Sequence, residues 1–157
     1  IAIEAKDAVF ATPLRGLFVR VADGSGTAIF TGSVSLDSDG RGEVPSLRPG
    51  TYEVRAESSG YAPVSRSGVA VPSRTLSLLL TPGGSLEIQA GPTTLALPQA
   101  AGRLIGADGR TYMWSTFTPD GKIRLSGPVR RLENVAPGRY TFEVEGGASA
   151  ARDSPST

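Results

Sequence analysis

Histidine and cysteine, the residue types that carry most side-chain chemistry at neutral pH, are both absent from this chain. Their absence removes Ser-His-Asp and Cys-His nucleophile systems, Cys/His zinc sites, His-held haem, disulfides and an imidazole pH switch. Carboxylates remain: eight Glu and seven Asp. A pair of carboxylates suffices for glycoside hydrolysis. Here most of them fall on the charged rows of alternating segments or at turn tips, where water solvates them. A small β-domain also leaves little volume for a deep cleft. The expectation is a protein that is not an enzyme and needs no cofactor.

Four groups of residues could still act. Asp37-Ser38-Asp39-Gly40-Arg41-Gly42-Glu43 looks like the start of a calcium loop, with Asp37, Asp39 and Glu43 offering three side chains. Calcium takes six to eight oxygens, and Arg48 stands where a twelve-residue loop needs its closing Glu. A hairpin with an acidic tip is therefore favoured over a metal site. Tyr112-Met113-Trp114, with Phe117, is the densest aromatic run. On a strand, Tyr112 and Trp114 share a face. Facing solvent, they form a platform for a glycan or a partner; facing inward, they are core, the commoner fate of a lone Trp. Arg124, Arg130, Arg131 and Arg139 could converge with Lys122 to take a phosphate, a polyanion or an acidic partner. No Gly-rich phosphate loop or aromatic interleaving accompanies them, so a solvated face neutralised by Glu133 and Glu143 is favoured. Lastly, Asn134 with Lys6 or Lys122 raises a Lys–Asn isopeptide bond, which the placement of the two lysines argues against.

These residues need elements to position them. The periodicity is two, not 3.6. Thr51–Glu57 points Tyr52, Val54 and Ala56 one way and Glu53, Arg55 and Glu57 the other. Leu17–Ala22 aligns Leu17, Val19 and Val21, and Thr75–Thr81 aligns Leu76, Leu78 and Leu80. Arg139–Glu145 aligns Tyr140, Phe142 and Val144. The segment Ile1–Thr12 has neither Gly nor Pro and could be helical; its Ile1, Ile3, Ala5 alternation favours a strand. Such a strand could complete its own sheet or be donated to another chain.

Turn signals separate the strands. Asp-Gly occurs at Asp23-Gly24, Asp39-Gly40, Asp108-Gly109 and Asp120-Gly121, pairs suited to tight hairpins. Pro-Gly occurs at Pro49-Gly50, Pro82-Gly83 and Pro137-Gly138, where type II turns are expected. With 20 Gly and 12 Pro in 157 residues, long helices are disfavoured and a sandwich or barrel is favoured. The formal net charge is +1, from 16 Lys+Arg against 15 Asp+Glu. Such a balance gives no global pull toward nucleic acid or anionic lipid. No apolar run is long enough to span a membrane as a helix. The chain begins at Ile1 without Met or a visible signal peptide, as a processed product or a fragment would.

One pattern occurs twice. Asp39-Gly40 precedes Leu47-Arg48-Pro49-Gly50-Thr51-Tyr52-Glu53-Val54; Asp120-Gly121 precedes Val135-Ala136-Pro137-Gly138-Arg139-Tyr140-Thr141-Phe142. The interval from Asp-Gly to Pro-Gly is 10 residues in the first and 17 in the second, an apparent insertion around Ser126–Arg131. With Gly60-Tyr61 after the first copy, the pattern resembles carboxypeptidase regulatory-like domains, which are transthyretin-like, seven-stranded β-sandwiches akin to Cna-B domains. The resemblance covers about 15–60 well and 84–145 less well, since a Gly-Tyr does not follow the second copy. It implies an all-β chain of two tandem small Ig-like or transthyretin-like sandwiches, 1–81 and 82–146, divided at Thr81-Pro82-Gly83-Gly84, with a small polar tail at 147–157. The resemblance carries no catalytic residues. It implies a spacer, scaffold or self-assembling subunit in a secreted or cell-envelope bacterial protein, its partners being neighbouring domains or other chains that pair with open edge strands. The alternative is an accessory module that binds carbohydrate or protein through the aromatics of its second half.

Overall fold

The computed structural model describes residues 1–72, 74–92, 100–116, 118 and 120–145. Every named element among them is a β-strand. In order these are β1 (Ala2–Asp7), β2 (Gly16–Ala22), β3 (Ala28–Ser35), β4 (Arg41–Glu43), β5 (Gly50–Glu57), β6 (Val64–Val71) and β7 (Leu76–Leu80), then β8 (Gly84–Gln89), β9 (Ala101–Gly106), β10 (Lys122–Arg124), β11 (Val129–Val135) and β12 (Tyr140–Glu145).

The first seven strands make two sheets, ordered β4-β1-β7 and β3-β2-β5-β6. Their inward rows meet in one core that includes Ile3, Val19, Val54, Leu78 and Leu80. The alternation expected for Leu17–Ala22 and Thr51–Glu57 is present: Leu17, Val19, Val21, Tyr52, Val54 and Ala56 are all buried. The opening segment is a strand with both edges taken inside the chain. It runs antiparallel to β4 and parallel to β7, so it is not left over for donation to a second chain.

The last five strands form a three-stranded sheet, β10-β9-β12, and a two-stranded one, β11-β8. Leu104 and Ile123 from the former meet Ile88, Leu132 and Val135 from the latter. What reads as an insertion at Ser126–Arg131 runs into β11, which pairs antiparallel with β8. One inward expectation fails: Val144 is 39% exposed. Its cross-strand neighbour is Gly102, and the Phe142 ring lies against the place where a Gly102 side chain would stand. Phe142 thus covers the spot that alternation assigns to Val144.

The turn chemistry differs from expectation in an informative way. Gly40, Gly109 and Gly121 do adopt positive φ, but after Asp23 the positive φ falls on Gly26 and not Gly24. None of the Pro-Gly glycines is in the left-handed region, so they do not make the expected type II turns. Gly50 and Gly138 are needed for closeness. A Cβ on either would stand 3.3 Å from the hydroxyl of the Tyr two residues on. Each Tyr folds back over its Gly and donates its O–H to the carbonyl four residues upstream, Tyr52 to Arg48 and Tyr140 to Ala136, both at 2.8 Å. Pro-Gly-x-Tyr is therefore a tyrosine-clamped corner that opens a strand, similar in principle to the one at the turn of immunoglobulin sandwiches.

Candidate functional site

The acidic hairpin closes on itself. Asp37 Oδ1 accepts the backbone N–H groups of Asp39 (2.9 Å) and Arg41 (2.8 Å). Its pKa is lowered, chiefly by the Arg41 N–H and then by the Asp39 N–H, against some desolvation. Asp39 lies 4.0 Å from the Arg41 guanidinium, and Glu43 is exposed on β4. No three His, Cys, Asp or Glu among the described residues are grouped to hold a metal.

The basic residues are dispersed. Lys122 and Arg124 are on β10, in one sheet, and Arg130 and Arg131 are on β11, in the other. Lys122 pairs with Glu145 at 2.8 Å, Glu145 also pairs with Arg103, and Arg131 pairs with Glu133 at 2.7 Å. Arg139 is exposed at the corner before β12. Lys6 is engaged by Glu4 at 2.8 Å, and Asn134 sits in a β-bulge of β11 with φ of 61°.

The aromatic run is split. Residues 112–115 are irregular and follow an isolated bridge between Ile105 and Thr111, so strand alternation does not align Tyr112 with Trp114. Tyr112 is committed to packing. Its ring meets Tyr140 at 4.9 Å and 58°, and its hydroxyl accepts the Ala136 N–H at 2.8 Å. Burial raises its pKa. Trp114 is half-buried against the second core, and its indole N–H is buried with no acceptor among the described residues. Phe117 and the tail 147–157 lie outside the described residues.

Trp114 also lines a cleft that sequence reasoning did not anticipate. The cleft, about 640 Å³, is formed where residues 114–115 and 133–134 approach the outer face of sheet β3-β2-β5-β6. Its floor is set by register. Phe18 stands opposite Ser33 on β3 and opposite Glu57 on β5, and Leu17 and Val19 on either side point into the core. Strand alternation therefore puts Ser33, Phe18 and Glu57 in one row facing out. The inward phase of Leu17, Val19 and Val21 is the sequence signal for Phe18. Nothing in the sequence signals what stands above it.

The two halves are fastened beside this cleft. The Thr116 N–H donates to Glu57 Oε2 at 3.0 Å. Gly83 donates to the Gly60 carbonyl at 2.9 Å, and just before it, still within the first half, Ala62 donates to the Thr81 carbonyl at 2.8 Å. A Cβ on Gly83 would fall 2.5 Å from Asn134 Cα, so glycine is what lets the connection pass the β11 bulge. Below it, Asp7 is 4% exposed and accepts the N–H groups of Phe10 and Val9 and the O–H of Tyr61. Those bonds, the Phe10 N–H first, hold its carboxyl below the usual range.

Residues 5–81 match the family model of the carboxypeptidase regulatory-like domain. The matched part has the seven strands and Gly60-Tyr61 expected of such a domain, with Tyr61 bonded to Asp7. No curated protein is similar enough in sequence to match. Among solved structures, the chain is similar to the Bacillus anthracis TIE protein, with 19% identity and a TM-score of 0.38 over 91% of this chain. It spans only 27% of that protein's length. It is also similar to the minor pilin of Streptococcus agalactiae, with 14% identity and a TM-score of 0.35 over 94% of this chain and 83% of that one. The Streptococcal ancillary pilin shares 16% identity at a TM-score of 0.38, over 95% of this chain and 59% of that one.

Proposed function

We propose that the chain is a non-catalytic structural and interaction module of a secreted or cell-envelope bacterial protein. Two sandwiches, 1–81 and 82–146, are joined at Thr81-Pro82-Gly83-Gly84 so that they move as one stiff piece. The observation that supports this reading is the junction. A freely hinged pair would leave the connection solvated, whereas here Thr81 and Gly83 are hydrogen-bonded to the Gly60–Ala62 segment and Glu57 holds Thr116. The test is rotational diffusion of the full chain by NMR relaxation. The two halves are expected to tumble with one correlation time. In Gly83→Val, whose side chain must displace the Asn134 backbone, they are expected to separate into two. Independent tumbling in the unaltered chain would refute the stiff module.

A second reading, self-association, is favoured by β3. Open sheet edges are normally blunted by charge, Pro, bulges or brevity. Between Asp23 and Asp37 the chain has neither a charged residue nor Pro, and β3 is eight residues long at the edge of its sheet. By contrast β4 and β10 are three residues each, β12 carries Glu143 and Glu145, and β11 is charged and bulged. Antiparallel pairing of β3 with β3 of a second copy would bring no like charges together. Sedimentation velocity is expected to show a concentration-dependent dimer that Thr31→Lys abolishes. A wild-type chain that stays monomeric at high concentration would end this reading.

A further inference from the structure

We propose that the open edge of β7 accepts an extended, carboxylate-bearing segment of another polypeptide as a fourth strand of sheet β4-β1-β7. That sheet has three strands and faces a sheet of four, so one strand of the larger sheet lacks a counterpart. β6 is that strand. Val64 and Arg66 stand opposite the buried Ala56 and Val54, and directly opposed residues share a face, so both point to the core side. Yet Arg66 is exposed, and Val64 and Val71 are only half-buried. The edge of β7 beside them is open, because β7 pairs with β1 alone. Successive residues of a strand turn their N–H and C=O groups to opposite edges. Leu80 turns its carbonyl to the Ala8 N–H on the β1 side; Thr81 turns the other way, and its carbonyl accepts the Ala62 N–H. Ser77 and Leu79 share the phase of Thr81, so their N–H and C=O groups lie along the free edge. The chain itself begins the missing strand. Tyr61 bridges Pro82 in the antiparallel sense, and the backbone then leaves for the other sheet as β6 at Val64. This edge therefore takes an antiparallel neighbour at one end and lacks one along Leu76–Leu80.

Charge names the occupant. From Thr75 to Leu86 the chain carries no charged residue, and Leu79, 56% exposed, offers an apolar flank. The charges beside the edge are Arg66 on β6 and Arg74 just before β7. Both are exposed, Arg66 donates to the neighbouring Ser65 carbonyl at 3.0 Å, and neither makes an ion pair among the described residues. In strand addition the backbone bonds supply affinity and the alternate side chains supply selection. The fitting strand has apolar residues toward Val64 and Val71 and a carboxylate toward Arg66; a lysine there would meet like charge. The uncharged β3 of a second copy would leave Arg66 without a partner. The proposal rests on neither reading above, because peptide binding, rotational diffusion and sedimentation can fail separately.

The heptapeptide acetyl-Thr-Val-Thr-Glu-Thr-Val-Thr-amide and its counterpart with Lys in place of Glu are titrated into the full chain, with backbone amides followed by NMR. The Glu peptide is expected to shift the Ser77 and Leu79 amides saturably and to slow their hydrogen exchange. The Lys peptide is expected to bind about tenfold more weakly. Arg66→Glu, a change at an exposed position, is expected to invert that preference. Ser77→Pro removes an N–H from the free edge and no bond to β1, and is expected to abolish binding. The proposal is overturned if neither peptide shifts Ser77 and Leu79, if the shifts fall on β3 instead, or if the Lys peptide binds the unaltered chain as well as the Glu peptide. It is equally overturned if Arg66→Glu keeps the original preference or Ser77→Pro binds undiminished.

Discussion

Strands β1–β7 and strands β8–β12 turn the same corner and close to different degrees. Tyr52 and Tyr140 each clamp a Pro-Gly turn by the same 2.8 Å bond to the carbonyl four residues back. Among the described residues, around Tyr52 stand seven strands in sheets of three and four; around Tyr140 stand five, in sheets of three and two. Fully buried apolar side chains follow the same disparity. Both cores draw on both of their sheets, but among the described residues the first has 15 buried members and the second 7. A shared local motif therefore does not set the size of the core it opens onto. A unit with less buried surface gains less of the hydrophobic term that offsets chain entropy, and strands β8–β12 are expected to lean on β1–β7.

The sharpest way to break that comparison is to empty each core. Ile3 and Ile123 are both 0% exposed, and truncating either to Ala should cost about 2–5 kcal/mol. The consequences should differ. Ile3→Ala is expected to lower the stability of the whole chain, since the junction contacts of the second half rest on the first. Ile123→Ala is expected to unfold the second half while amides of β2 and β5 stay protected from hydrogen exchange. Loss of protection throughout the chain in Ile123→Ala would mean that the two sandwiches form one cooperative unit.

Removing the clamps probes the shared motif with a smaller effect. Tyr52→Phe and Tyr140→Phe each delete one hydrogen bond, worth about 1 kcal/mol. Tyr52 is buried and Tyr140 half-buried, so the loss should be larger at Tyr52. Urea midpoints of the two variants check the order. A larger loss at Tyr140 would show that the second sandwich depends on its corner more than on its core.

How much of this was legible depends on the range of the signal. Alternation is local, so Leu17–Ala22 and Thr51–Glu57 could be read as strands with their buried faces. The Pro-Gly-x-Tyr repeat was legible as a motif, but its cause was not. Glycine's tolerance of positive φ suggested a type II turn, whereas the actual constraint is a tyrosine ring lying over the glycine. Apparent insertion at Ser126–Arg131 misled because a gap in a repeat does not say whether the added residues loop out or, as here, lead into β11. The cleft was half legible. The phase of β2 points Phe18 outward, but Trp114 and Asn134 reach it only through tertiary packing across the junction, and no spacing in the chain encodes that.

Acid gives the finest test of the two halves, because each has a carboxylate held ionised by different means. In the first half, Asp7 is held by backbone N–H groups, that of Phe10 foremost, and by Tyr61, which keep its pKa below 3.8. In the second half, Glu145 is held below 4.5 chiefly by its hydrogen bond to Lys122, with Arg103 adding to it. A depressed carboxylate contributes stability that is fully present above its unfolded pKa and is lost as pH falls through the folded one. Both contributions should therefore be intact at neutral pH, with Glu145 fading below about 4.5 and Asp7 below about 3.8. Salt separates them. The Glu145 pairs are surface ion pairs, which are screened and contribute little, whereas the Asp7 bonds are fixed by the backbone. Asp7→Asn is expected to flatten the acid limb of the stability curve at any ionic strength. Glu145→Gln is expected to alter it slightly, and only at low salt. The contrast fails if molar salt erases the Asp7→Asn effect, since charge pairing rather than backbone geometry would then be what holds the first sandwich's carboxylate.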